Sequence, residues 1–189
     1  MSEIRKHQST GAELRASENG KEKVLEGYAA LFNSKSGKGN LPFREQLASG
    51  CFTRVLAANP DVKMLINHDA NQVLGRTKSG TLTLAQDVKG LRFRCVLPDT
   101  TQARDLYELV KRGDMNQCSF AFSTDDDEWN VEDGEDVRTI RNVAGLYDCS
   151  VVTNPVYDDT SVDARARKSD TDSWRAKAQM RLRLASFSL

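Results

Sequence analysis

Apolar and polar positions alternate with a period of two through most of this chain, which is the pattern of half-buried strands. In "GTLTLAQDVKGLRFRCVLPDT" (80–100), Leu82 and Leu84 alternate with threonine, "DVKG" turns, and Leu91, Phe93 and Cys95 alternate with arginine. That segment predicts a β-hairpin. "KVLEGYAALF" (23–32) predicts a first strand, interrupted by Gly27, which suggests a bulge there. "LPFREQLASGCFTRVLAANP" (41–60) mixes a short strand with a short helix ending before Pro60. "DVKMLIN" (61–67) places Val62, Met64 and Ile66 on one parity, and "QCSFAFS" (117–123) predicts another strand. "VRTIRNVAGLYDCSVVTNP" (137–155) holds one or two more.

The period lengthens clearly once. In "DTTQARDLYELVKRGD" (99–114), Ala103, Leu106, Tyr107 and Val110 make one helical face. Asp99 or a threonine caps its start, and Gly113 stops it. Many short strands with one or two helices predict an α+β, mainly β domain, an antiparallel, barrel-like sheet with a few flanking helices. The pattern divides the chain into a polar, flexible segment (1–20), a folded domain (21–163) and a tail (164–189).

Composition changes this picture only at the ends and in one insert. With 39% hydrophobic residues among 189, the chain can bury a core. Charge is balanced at 27 basic and 27 acidic residues, so overall charge selects neither nucleic acid nor membrane. No run approaches the roughly 20 apolar residues that span a bilayer, and "MSEIRKHQSTGAELRASENG" lacks the apolar region of a secretory signal, which points to a cytosolic protein. "TDDDEWNVEDGED" (124–136) carries eight carboxylates and no base, as a solvated loop or hairpin. From Ala164 onward seven Lys/Arg face two Asp. This tail is open to three readings: a connector released by self-cleavage, a docking element, or a solvated terminus. Cys51, Cys95, Cys118 and Cys149 form no CxxC pair and no zinc spacing with the two histidines, so they read as reduced thiols packed in strands, with no metal or other cofactor.

Three positions carry candidate chemistry. His68 ends the "VKMLI" strand and shares the parity of Met64 and Ile66, at the rim of the core; a structural histidine would sit there equally well. Asp69, adjacent on the strand, points away from it. Ser119 shares a face with Ala121 and Ser123, opposite Cys118, Phe120 and Phe122. It reads either as a hydroxyl with room beside it or as an ordinary strand serine. Asp148 lies in the apolar run "LYDCSVV" (146–152). It needs a partner if buried, or else it lies on an exposed edge. A hydroxyl, an imidazole and a carboxylate together make a nucleophilic triad, but spacing along the chain does not bring them into contact.

Several segments, in order, resemble the prohead (capsid maturation) serine proteases of tailed bacteriophages, a family related in fold to the herpesvirus assemblins. They are "LEGYAALFN", "FREQLASGCF", "DVKMLINHDANQVLGR", "GTLTLAQDVKGLRFRCVLPDT", "LVKRGDMNQCSFAFS" and "LYDCSVVTNPVYDDTSV", covering about residues 24–163. The resemblance implies His68 as general base, Ser119 as nucleophile and Asp148 as the third member, at a position where the family more often has Glu. It implies cleavage of the major capsid protein and its scaffold segment, inside an assembling procapsid in the host cytoplasm. It also implies that a homodimer is open to this chain, since assemblins are activated by dimerisation. Where the family often reads "MSFGF", this chain has Cys118 and Ala121. Cys118 is an alternative nucleophile, although strand parity turns it from the Ser119 face. Arg138 and Arg141 are candidates for the oxyanion hole by their proximity in sequence to the Asp148 strand. Two other classes of function stand beside this one. A non-catalytic assembly module with a protease-like fold requires the three groups to be lost, and all three residues are present. A nucleic-acid binder requires a basic stripe interleaved with aromatics, which the domain lacks.

Overall fold

The computed structural model describes residues 5–8, 14–19, 22–35 and 42–153. The end of the expected folded domain, residues 154–163, and the basic tail lie outside the described residues. The elements are strands Arg5–Gln8 (β1), Leu14–Asn19 (β2), Glu22–Leu31 (β3) and Arg44–Leu47 (β4), helix Thr53–Ala57 (α1), strands Lys63–Ile66 (β5), Asp69–Arg76 (β6), Leu82–Gln86 (β7) and Gly90–Val96 (β8), helix Thr101–Arg112 (α2), and two long strands, Gln117–Glu132 (β9) and Glu135–Val152 (β10). The α+β, mainly β expectation holds.

One sheet is a four-stranded antiparallel layer ordered β2-β3-β8-β7. Its alternation is the one the sequence predicts: Leu91, Phe93 and Cys95 are buried, whereas Arg92 is exposed. The β7–β8 turn closes on the Asp87 carboxylate, which accepts the amide N–H groups of Lys89 (2.7 Å) and Gly90 (3.1 Å). The bulge in β3 falls between Tyr28 and Ala30 rather than at Gly27. Gly27 stays in register, opposite Phe93 on one side and Leu14 on the other, and Ala29 is the extra residue. Within the segment expected to be flexible and polar, residues 5–8 and 14–19 form β1 and β2, each at the edge of a sheet. Edge positions leave one side of a strand to water and so demand little apolar signal.

The helix α2 buries Ala103, Leu106, Tyr107 and Val110, the predicted face. Thr100 caps it by accepting from the Ala103 N–H at 3.3 Å, and Gly113 ends it in the left-handed region, at φ 86°.

The other sheet is organised by β10. It pairs antiparallel with β9 along nearly its whole length and parallel with β4 and with β5, so this sheet is mixed. The acidic insert is therefore the outer half of a β9–β10 ribbon. Its two-residue turn, Asp133–Gly134, has positive φ at both positions (53° and 77°), as a type I′ hairpin requires. Core side chains of both sheets join one cluster, with Phe93 and Cys95 from one and Phe120, Phe122, Cys149 and Val151 from the other. Phe52, ahead of α1, meets Phe120 edge-on at 5.5 Å.

Where β4 joins the ribbon, Arg138 is buried. Its guanidinium donates to Glu45 at 3.1 Å and Asp127 at 2.7 Å and lies 5.7 Å from the centre of the Trp129 ring. Removing one partner of a buried ion pair costs roughly 3–5 kcal/mol, because the other charge stays desolvated. Arg138→Leu is expected to lower the melting temperature clearly, whereas Arg141→Leu, on an exposed arginine, leaves it nearly unchanged. A thermal melt of the two variants checks this contrast.

Candidate active site

The register of β9 and β10 assembles most of the site. Ser150 stands directly opposite Ser119, and Asp148 opposite Ala121. Directly opposed residues share a face of the sheet, and residues two apart share it too. Ser119, Asp148 and Ser150 therefore project together, while Cys118, Phe120 and Cys149 turn to the core cluster.

The imidazole arrives from a neighbouring hairpin. β5 runs parallel to β10, with Leu65 opposite Ser150 and Ile66 opposite Val151. The chain then reverses through Asn67 and His68 into β6, and Ile66 pairs with Asp69. Both turn residues have positive φ, 51° and 58°. His68 is thus not a strand residue with the parity of Met64 and Ile66, as the sequence suggested. It sits in a two-residue turn whose left-handed backbone is uncommon for a non-glycine side chain. Asparagine and histidine are among the residues that tolerate it best, and other contacts hold the turn. The Asn67 N–H donates to the Val151 carbonyl at 2.9 Å, and the Asn67 side-chain oxygen accepts from the Thr153 N–H at 3.0 Å.

From this turn the ring reaches two partners. Nδ1 lies 2.6 Å from Asp148 Oδ1, and Nε2 lies 2.9 Å from Ser119 Oγ. A carboxylate accepts only, so Nδ1 carries the proton and donates it to Asp148. Nε2 is then left as an acceptor facing the Ser119 hydroxyl. The His68 side chain is 5% exposed and that of Asp148 15%. Asp148 accordingly has the partner its apolar surroundings demand. Ser150 Oγ also donates to Asp148 Oδ1, at 3.0 Å, and lies 3.2 Å both from the His68 backbone N and from Nδ1. Ser150 is not among the residues the sequence singles out, although "DCS" places it on the same parity as Asp148; its link to His68 exists only through the β5–β6 turn.

The remaining candidates fall elsewhere. The Cys118 thiol is fully buried on the core face, and burial pushes its pKa up to about 12, so it is no competing nucleophile. Asp69 closes its own turn, accepting from the Asn71 N–H at 2.9 Å and from the Gln72 amide at 2.8 Å. The Asn71 N–H, followed by Gln72, holds that carboxyl below the usual range. Arg138 and Arg141 are not oxyanion donors. Arg138 precedes Asp148 by ten residues on the same strand, about 30 Å at the usual rise, and is committed to Glu45 and Asp127. Arg141 faces Asp126 and Glu128 on the acidic ribbon. His7 lies on β1, opposite Phe120.

A hydroxyl, an imidazole and a carboxylate in hydrogen-bonded order can take a proton from the hydroxyl as it attacks. Residues 10–173 match the caudovirus prohead serine protease family. The chain is 29% identical to the prohead protease of Enterobacteria phage HK97 over 171 residues, which cover 86% of this chain and 71% of that protein. No solved structure matches. Among the described residues, no helix is long and apolar enough to cross a membrane. The family match spans β2 to β10 and contains His68, Ser119 and Asp148; the chain belongs to the caudovirus prohead serine proteases.

Proposed function

We propose that this chain is a serine endopeptidase that cleaves the major capsid protein and its scaffold segment inside the assembling procapsid. The observation that carries the reading is the unbroken order Ser119 Oγ, His68 Nε2, His68 Nδ1, Asp148 Oδ1, at 2.9 and 2.6 Å. Ser119 attacks the scissile carbonyl, and His68 Nε2 takes the hydroxyl proton as the new C–O bond forms. Asp148 holds the ring in the required tautomer and stabilises the imidazolium. The imidazolium protonates the leaving amine, so the peptide C–N bond breaks and an acyl-enzyme remains. A water, deprotonated by the same nitrogen, then releases the second fragment and restores Ser119.

A fluorophosphonate tests the reading directly, because it phosphonylates a nucleophile whose proton a neighbouring base removes. The expected product is one adduct, mapped by peptide mass spectrometry to Ser119. An adduct confined to Cys118, or none on assembled and unassembled protein alike, overturns the assignment.

A further inference from the structure

Ser150 is fully buried, and its hydroxyl is the meeting point of three parts of the site. It donates to the Asp148 carboxylate at 3.0 Å and accepts the His68 backbone N–H at 3.2 Å; Nδ1 stands 3.2 Å away. We infer that Ser150 is a positioning residue that sets the distance and orientation between the His68 imidazole and Asp148.

The geometry gives the hydroxyl this task for two reasons. First, His68 stands in a left-handed backbone, at φ 58°, next to Asn67 at 51°. Such conformations are strained for residues that carry a side chain and persist only where surrounding contacts over-determine them. Asn67 is tied to Val151 and Thr153. The His68 N–H is tied to Ser150. Without that tie the turn is free to relax, and Nε2 swings relative to Ser119. Second, the Asp148 carboxylate has two oxygens and a rotatable terminal torsion. The Ser150 hydroxyl donates to the same oxygen, Oδ1, that accepts from Nδ1. It thereby selects the carboxylate orientation that serves the ring. Ser150 is not a rival nucleophile: it neighbours Nδ1, the donor side of the ring, and its own proton is directed to Asp148.

The inference rests on the proteolytic reading, and its test separates the two. Hydrogen bonds to charged groups contribute roughly 1.5–3 kcal/mol, which corresponds to about 10- to 100-fold in rate. Ser150→Ala is expected to lower kcat, and the rate of fluorophosphonate labelling at Ser119, by about that factor, with KM within about twofold of wild type. The Nδ1 proton resonance of His68 in the NMR spectrum should shift or broaden. Ser150→Cys fills the same space with a weak donor, so it should behave like Ser150→Ala if hydrogen bonding is the role. Recovery of wild-type rates in Ser150→Cys, or an unchanged labelling rate in Ser150→Ala, overturns the inference while leaving the serine-protease reading standing. Wild-type protein that fails to label defeats the protease reading. In that case the Nδ1 resonance alone decides whether Ser150 holds the imidazole and carboxylate together: no change on Ser150→Ala overturns the inference.

Discussion

Ser119→Ala should abolish cleavage of the capsid protein and of the chain itself while leaving the fold in place. Loss of the nucleophile from a triad of this kind lowers kcat on the order of 10⁶-fold, to the background left by binding and oxyanion stabilisation. Among the described residues, neither neighbouring nucleophile is placed to take over. Ser150 lies on the wrong side of the ring, and Cys118 sits in the core with its thiol pushed to about 12. The fold should survive because the change removes one oxygen from a buried strand position and keeps the period-two packing of β9. The lost hydrogen bond to Nε2 contributes only about 1 kcal/mol net. Rates of capsid-protein cleavage by purified wild type and variant, beside thermal melts of both, check the two halves of this expectation.

The second large effect separates the roles of His68 and Asp148. His68→Ala removes the base and should lower kcat nearly as far as Ser119→Ala. Asp148→Asn should fall less, by roughly 10⁴-fold. An amide at this position no longer offers a charge to the imidazolium. It can also present its NH₂ group to Nδ1, which then becomes the acceptor. The ring proton moves to Nε2, where it faces the Ser119 hydroxyl and leaves no base. Single-turnover kinetics on the three variants measure the order. Asp148→Asn turning over at wild-type speed places the third member elsewhere.

Much of this architecture is legible in the residues alone because it rests on local periodicity. The β7–β8 hairpin, the capped helix α2 and the core-facing set Cys118, Phe120 and Phe122 of β9 each follow from side chains within one segment. Parity also separates Ser119 from Cys118 correctly. The rest depends on pairings between distant segments. Arg138 reads as an oxyanion-hole candidate until β4 pairs with β10 and brings Glu45 against it. His68 reads as the end of a strand because β6, with polar and small residues at most positions, carries little strand signal; the reversal at Asn67–His68 lies in the backbone dihedrals. The edge strands β1 and β2 are polar and carry little signal as well. The resemblance to the prohead protease family implies the three residues together, whereas each alone has an ordinary structural reading. Its motif gave no reason to single out Ser150, whose importance arises from a contact across 82 residues of chain.

A proteolytic centre built on Ser119 predicts the outcome of a mass spectrum of this chain co-expressed with its capsid protein. Discrete fragments of the capsid protein should accompany the wild type, and only full-length masses should accompany Ser119→Ala. The same fragments appearing with both would contradict it.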